Sequence, residues 1–223
     1  MIKIPNQIFI GCPWKNIKPK YERIRNKLSQ KFPQSLILIG GRESQSAEDL
    51  LKVIEENLEK STCAIFDVTG GNPNVSLEFG FAKAKDLNVI LYMSGRQNRV
   101  ESEDSAIISD LAGKIRSHYK TEKGLQNLLE GFCRNHEYTK RYEEVFRHSF
   151  FRKSKGIKRS YRTLGLKIIH FLDENGSCRR DDLDKSFQSE GYHGNEIEEI
   201  LSAFHRGGII KISTGRYSTV VIS

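Results

Sequence analysis

Cys63-Ala-Ile-Phe-Asp67-Val-Thr-Gly-Gly-Asn72-Pro-Asn74-Val-Ser-Leu-Glu78-Phe-Gly-Phe-Ala-Lys-Ala84 is the stretch on which the fold turns. An apolar, β-prone run ends on a carboxylate, a Gly/Pro/Asn loop reverses the chain, and a helix follows with one glutamate in its early turns. In a parallel α/β sheet the crevice beyond the carboxyl ends of the strands is where ligands settle. That crevice would hold Asp67, Asn72, Asn74 and Glu78.

Working outward, the same alternation continues on both sides. Gln7–Gly11 reads as a buried first strand. Tyr21–Lys31 reads as a helix with Tyr21, Ile24 and Leu28 on one face, and Ser35–Ile39 as a second strand. Ala47–Lys60 has Leu50, Leu51, Ile54 and Leu58 at helical spacing. Thr62–Phe66 is the third strand, Asn74–Ala84 the motif helix and Val89–Met93 the fourth strand. Lys114–Tyr119 follows as a more polar fifth strand, then a helix over Gly124–Cys133 with Leu125, Leu128, Leu129 and Phe132 inward. Short apolar strands alternating with helices imply a parallel sheet covered on both faces. The polar residues 94–106 read as an exposed loop.

The run Asp67-Val-Thr-Gly followed by Asn72-Pro-Asn-Val-Ser-Leu-Glu78-Phe-Gly-Phe-Ala resembles the signature of nucleoside 2-deoxyribosyltransferase-like and TIR-like nucleotide-processing proteins. The resemblance covers roughly the first 130 residues, the loop and helix being its specific part. It implies a flavodoxin-like parallel sheet and cleavage or exchange of an N-glycosidic bond in a nucleoside, a nucleotide or NAD. It implies a catalytic role for Glu78 and matches Asp67 to an acidic strand end. Gly11-Cys-Pro-Trp14 departs from the first-loop pattern expected of the family, which leaves base and sugar specificity open.

Each of these residues also has a structural reading. Glu78 either stabilises oxocarbenium charge at an anomeric carbon or simply complements the helix dipole. Asp67 either touches a ribose hydroxyl or forms the strand-to-loop turn. Asn74 caps the motif helix, and Asn72 and Asn74 both have amides able to meet sugar or phosphate oxygens. Gly70 and Gly71 let the loop backbone approach a ligand. Trp14, the single tryptophan, follows the first strand and either stacks on a base or packs. Nicotinamide leaves from a cationic ring without a general acid, whereas adenine or guanine needs protonation; with only Asp67 as a second acid, an NAD-like substrate is favoured.

The net charge of +8 is unevenly spread. Residues 1–113 hold 15 Lys/Arg and 14 Asp/Glu, residues 114–162 hold 14 and 5, and residues 163–223 hold 7 and 9. Arg147, Arg152, Lys153, Lys155, Lys158, Arg159 and Arg162 therefore mark a basic connector, either a footprint for nucleic-acid phosphates or a solvated linker. Within it Tyr138, Tyr142, Phe146 and Phe150 repeat every four residues, as a packing face joining the domains or as a base-stacking platform.

Beyond the connector the pattern changes. Thr163–Asn175, Arg180–Phe187 and Asn195–Arg206 read as helices, the last opened by an Asn195/Glu198 capping box. Ile209–Ser213 and Tyr217–Ile222, joined through Thr214-Gly215-Arg216, read as a hairpin. Three helices and a hairpin are similar in topology to a winged helix-turn-helix. Its third helix carries Glu196, Glu198 and Glu199, which argue against simple major-groove reading and leave a protein-docking role open. The division expected is a deoxyribosyltransferase-like domain over 1–133, a basic helical connector over 134–162 and a winged helix over 163–223.

No apolar run reaches the length of a membrane span, and the first ten residues lack a signal-peptide pattern, so a cytoplasmic protein with no membrane partner is expected. Four scattered cysteines form no Cys-x-x-Cys pair, and no metal site or cofactor is expected beyond NAD or a nucleotide as substrate. The architecture as a whole resembles antiphage effectors encoded beside some retron reverse transcriptases. That resemblance implies a toxin held by a nucleic-acid or reverse transcriptase–nucleic acid complex, and a homo-oligomer is expected. Two other readings stay open: a nucleotide sensor that binds without cleaving, and a metabolic nucleoside deoxyribosyltransferase.

Overall fold

Two five-residue runs, Gln-Ile-Phe-Ile-Gly and Cys-Ala-Ile-Phe-Asp, are buried along their whole length and form the centre of a parallel sheet. Strands covered on both faces leave no place for alternation with polar residues, which is why residues 8–10 and 63–66 are uninterrupted apolar runs. The computed structural model describes residues 3–15, 17–39, 47–95, 116–213 and 218–223. The chain divides into two units, the first of residues 1–28 and 36–132, the second of residues 29–35 and 133–223.

The first unit runs β1 (Gln7–Gly11), α1 (Lys18–Leu28), β2 (Ser35–Ile37), α2 (Ala47–Lys60), β3 (Cys63–Asp67), a 3₁₀ turn (Thr69–Gly71), α3 (Pro73–Ala84), β4 (Asn88–Ser94), β5 (Arg116–Tyr119) and α4 (Glu122–Asn135). The strand order is β2-β1-β3-β4-β5, the flavodoxin-like order. The β1/β3, β3/β4 and β4/β5 pairs are parallel, with Gly11 opposite Phe66 and Asp67 opposite Tyr92. Phe9, Ala64 and Phe66 pack with Ile54 and Leu58 of α2 and Val75 and Ala82 of α3. The strand residues between them, Ile8, Ile10 and Ile65, are equally buried and point to the opposite face by the alternation of a strand. The expected strands and helices are all present with ends shifted by a few residues. The fifth strand is described from Arg116 onward; residues 96–106 of the expected loop lie outside the described residues, as does the hairpin turn at Thr214-Gly215-Arg216.

In the second unit, α5 (Glu137–Phe150) and α6 (Lys155–Asn175) lead into β6 (Cys178–Arg179), α7 (Arg180–Ser189), α8 (Gly194–Arg206), β7 (Ile210–Ser213) and β8 (Thr219–Ile222). The last strands form an antiparallel sheet in the order β6-β8-β7, so the short β6, absent from the sequence-based expectation, makes the hairpin three-stranded. The segment expected as a connector is helical and contributes to this unit's core. Tyr138, Tyr142, Phe146 and Phe150 are buried there with Tyr161, Leu164 and Phe204. The ring centroids of Tyr142 and Phe204 are 5.4 Å apart, and those of Phe150 and Tyr161 5.1 Å. The four-residue stripe is thus core, and no base can stack on rings that solvent does not reach.

One capping expectation of this unit changes. Helix α8 starts one residue early, at Gly194, which makes Glu196 its third residue; the Glu196 carboxylate accepts from the His193 N–H at 3.0 Å. The expected Asn195/Glu198 box is therefore displaced, and Glu198 pairs with Arg180 instead, 2.8 Å away. Among the described residues no helix is long and apolar enough to cross a membrane.

Candidate active site

In the strand order of the first unit, the chain direction across the sheet reverses between β1 and β3, and a crevice opens at their carboxyl ends. A cavity of about 540 Å³ lies there. The loop after β1 lines it with Cys12, Pro13, Trp14, Lys15 and Ile17; the loop after β3 with Thr69, Gly70 and Asn72; and α3 with Asn74, Val75 and Glu78. The backbone of Gly70 has a φ of +72°, a conformation that costs glycine nothing and lets the loop fold back before α3.

The start of α3 is set by Asn72. Its side-chain oxygen accepts from the N–H groups of Asn74 at 3.0 Å and Val75 at 3.3 Å, and Pro73 takes the first helical position, where no N–H is needed. The cap thus belongs to Asn72, where the sequence suggested Asn74. Asn74 is left exposed at the cavity.

Glu78 follows one turn later. One of its carboxylate oxygens, Oε2, is buried with no hydrogen-bond partner among the described residues. Burial alone pushes its pKa up to about 7, because no cation or donor offsets the loss of water. An unpartnered buried carboxylate oxygen is costly and points to a ligand that completes it. Gly11 makes the room: a methyl group added there would lie 2.5 Å from Glu78 Oε2 and closer still to the Phe66 ring. Gly11→Ala is therefore expected to push the carboxylate out of position and to lower stability by about 1–3 kcal/mol, the usual cost of overpacking. Thermal melting of the variant beside the wild type checks it.

Asp67 occupies a different environment. Its side chain is fully buried and does not line the cavity. Oδ2 accepts from the Tyr119 hydroxyl at 2.6 Å and the Tyr21 hydroxyl at 3.1 Å, and Oδ1 from the Thr69 N–H at 3.1 Å. Burial raises its pKa and these donors oppose the rise. Both tyrosines are held protonated, by burial first and by Asp67 second. Thr69 in turn accepts from the Ser94 N–H through its hydroxyl at 2.8 Å. Asp67 thus ties the loop after β3 to α1 and β5, and Thr69 ties it to β4. The sequence places Tyr21 on an inward helix face and Tyr119 at a strand end without giving either an acceptor, although a tyrosine on an apolar helix face needs one for its hydroxyl.

Of the remaining residues, Trp14 lines the cavity at 41% exposure with the Lys18 ammonium 5.7 Å from its ring centroid. Gly71 is buried and outside the cavity lining. Cys12, Lys15 and Thr69 are additions to the set read from sequence. The Cys12 thiol is raised far above its ordinary pKa by burial, then by Asp67 and Glu78, so it is a neutral wall and not a thiolate nucleophile. Among the described residues no group of His, Cys, Asp or Glu is placed to hold a metal ion.

No protein-family model matches the chain, and no curated protein matches it. Among solved structures, the CMP N-glycosidase of Clostridium botulinum is similar over 56% of this chain and 98% of its own, at 16% identity and a TM-score of 0.42. A 2-deoxyribosyltransferase of Leishmania mexicana is similar over 40% of this chain and 65% of its own, at 16% identity and a TM-score of 0.35.

Proposed function

We propose that the first unit cleaves the N-glycosidic bond of a nucleotide, with NAD the favoured substrate and Glu78 the catalytic carboxylate. The observation that carries this reading is the buried, unpartnered Oε2 of Glu78 in the crevice at the β1/β3 switch point. Ionised, Glu78 faces the anomeric carbon as the bond to the base breaks and its electron pair leaves with the ring nitrogen. It stabilises the developing positive charge or adds to the carbon, and water then supplies the hydroxyl. The loop and helix motif around Asn72-Pro-Asn74 and Glu78 supports the same chemistry through its resemblance to nucleotide-processing proteins. Trp14 is read as the stacking surface for a base and Asn74 as a donor to sugar or phosphate oxygens. Asp67 is a positioning residue that sets the loop bearing Thr69 and Gly70.

Cleavage of NAD requires the anionic form of Glu78, because a nicotinamide leaving group needs no proton. The rate of base release at low substrate concentration should therefore rise with pH through about 7 and level off above it. A rate that falls through that range would make Glu78 a proton donor and the substrate a neutral purine or pyrimidine nucleotide.

The order α6, β6, α7, α8, β7, β8 and the three-stranded antiparallel sheet support reading residues 163–223 as a winged helix, with α5 and the start of α6 added to its core. We read this unit as the attachment point for a nucleic acid or a nucleic-acid–protein complex, in a defence effector that consumes its nucleotide when triggered. The positive charge between Arg147 and Arg162 supports that partner.

A further inference from the structure

Among the cations from Arg147 to Arg180, two groups differ in how they are used. Lys153 binds the Glu199 carboxylate at 2.8 Å, Arg162 binds Glu143 through two hydrogen bonds, and Lys167 meets Glu190 at 2.5 Å. Arg180 is shared between Asp184 at 2.9 Å and Glu198 at 2.8 Å. Those side chains are used inside the unit, and so are the three glutamates of α8. In contrast Arg147, Arg152, Lys155 and Arg159 are exposed and carry no ion pair among the described residues.

The unpaired set borders the turn between α5 and α6. Arg147 lies one helical turn before Phe151, and Lys155 and Arg159 lie one turn apart at the start of α6. At the turn itself Phe151 is 62% exposed, beside a Phe150 that is 4% exposed. The Arg152 guanidinium stands 5.2 Å from the Phe151 ring centroid. An exposed aromatic among unpaired cations matches a polyanion with accessible aromatic faces. A duplex hides its bases in the stack, whereas a single strand offers them.

We infer that the α5–α6 turn is a binding site for single-stranded nucleic acid, with Phe151 stacking on an unpaired base and Arg147, Arg152, Lys155 and Arg159 contacting phosphates. This rests on the reading of the second unit as nucleic-acid-binding and specifies which form it takes.

The test is fluorescence anisotropy on the full chain with a labelled pyrimidine strand of about 20 nucleotides, its duplex with the complement, and vesicles of phosphatidylserine in phosphatidylcholine. Wild type should bind the strand more tightly than the duplex. Phe151→Ala should weaken strand binding about 5- to 100-fold with an unchanged salt slope, and Phe151→Trp should restore it. Replacing the four cations by Gln should flatten the log–log salt dependence by roughly 0.7 for each phosphate no longer neutralised. These side chains are exposed, and unchanged melting confirms that each variant is folded. If Phe151→Ala binds the strand as wild type does, or duplex and strand bind equally, the single-strand inference fails while the nucleic-acid reading stands. If neither oligonucleotide binds, or only vesicles do, both fail.

Discussion

Glu78→Gln is expected to lose at least about a hundredfold in base release while, above pH 7, melting at a higher temperature than the wild type. Gln keeps the size and most of the packing but cannot carry the negative charge that stabilises an oxocarbenium-like state, and removing one such electrostatic contribution typically costs two or three orders of magnitude. The stability gain follows from linkage. With a pKa raised to about 7 in the folded chain, Glu78 favours the folded state fully below its unfolded value, and this contribution is lost as pH rises through 7. A rise of that size corresponds to up to about 3 kcal/mol. The variant should therefore match the wild type near pH 5 and exceed it near pH 8. Melting curves at the two pH values check the second half, and turnover of the same folded variant checks the first. Activity and stability moving in opposite directions is the mark of a functional carboxylate held in an unfavourable site.

Asp67→Ala is expected to be severely destabilising, by about 3–5 kcal/mol in urea-induced unfolding. It strands the buried hydroxyls of Tyr21 and Tyr119 and the N–H of Thr69, each of which now donates to that carboxylate. Asp67→Asn retains one acceptor oxygen and should cost about 1–2 kcal/mol, as should Tyr21→Phe. Because Asp67 does not line the cavity, Asp67→Asn should keep base release within about tenfold of wild type, while a catalytic role would abolish it in a still-folded protein.

The contrast between these two carboxylates explains what could be read from sequence. Gln7–Gly11 and the run ending at Asp67 declare themselves as buried strands through their apolar centres, residues 8–10 and 63–66, and the Asn-Pro pair marks the start of α3 because Pro suits only its first turn. Those features are local, and so the sheet, the crevice and the position of Glu78 within it were legible. The turn bond from the Thr69 N–H to Asp67 is local, but the two tyrosine partners lie 46 and 52 residues away along the chain, and nothing short-range connects them. The same limit applies to the basic segment. Its charges dominated the reading, whereas the spacing of Tyr138, Tyr142, Phe146 and Phe150 is what determines its place in the second core. Which of its cations are occupied depends on Glu143 and Glu199, brought near only by folding.

The unpartnered oxygen of Glu78 is the point on which the functional reading stands. The most direct measurement is chromatographic detection of free base after incubating the purified chain at pH 8 with NAD and a panel of nucleotides, alongside Glu78→Gln. Nicotinamide released from NAD by the wild type and at least about a hundredfold less by the folded variant is the predicted result. No base released from any member of the panel, or equal release by the folded variant, would contradict it.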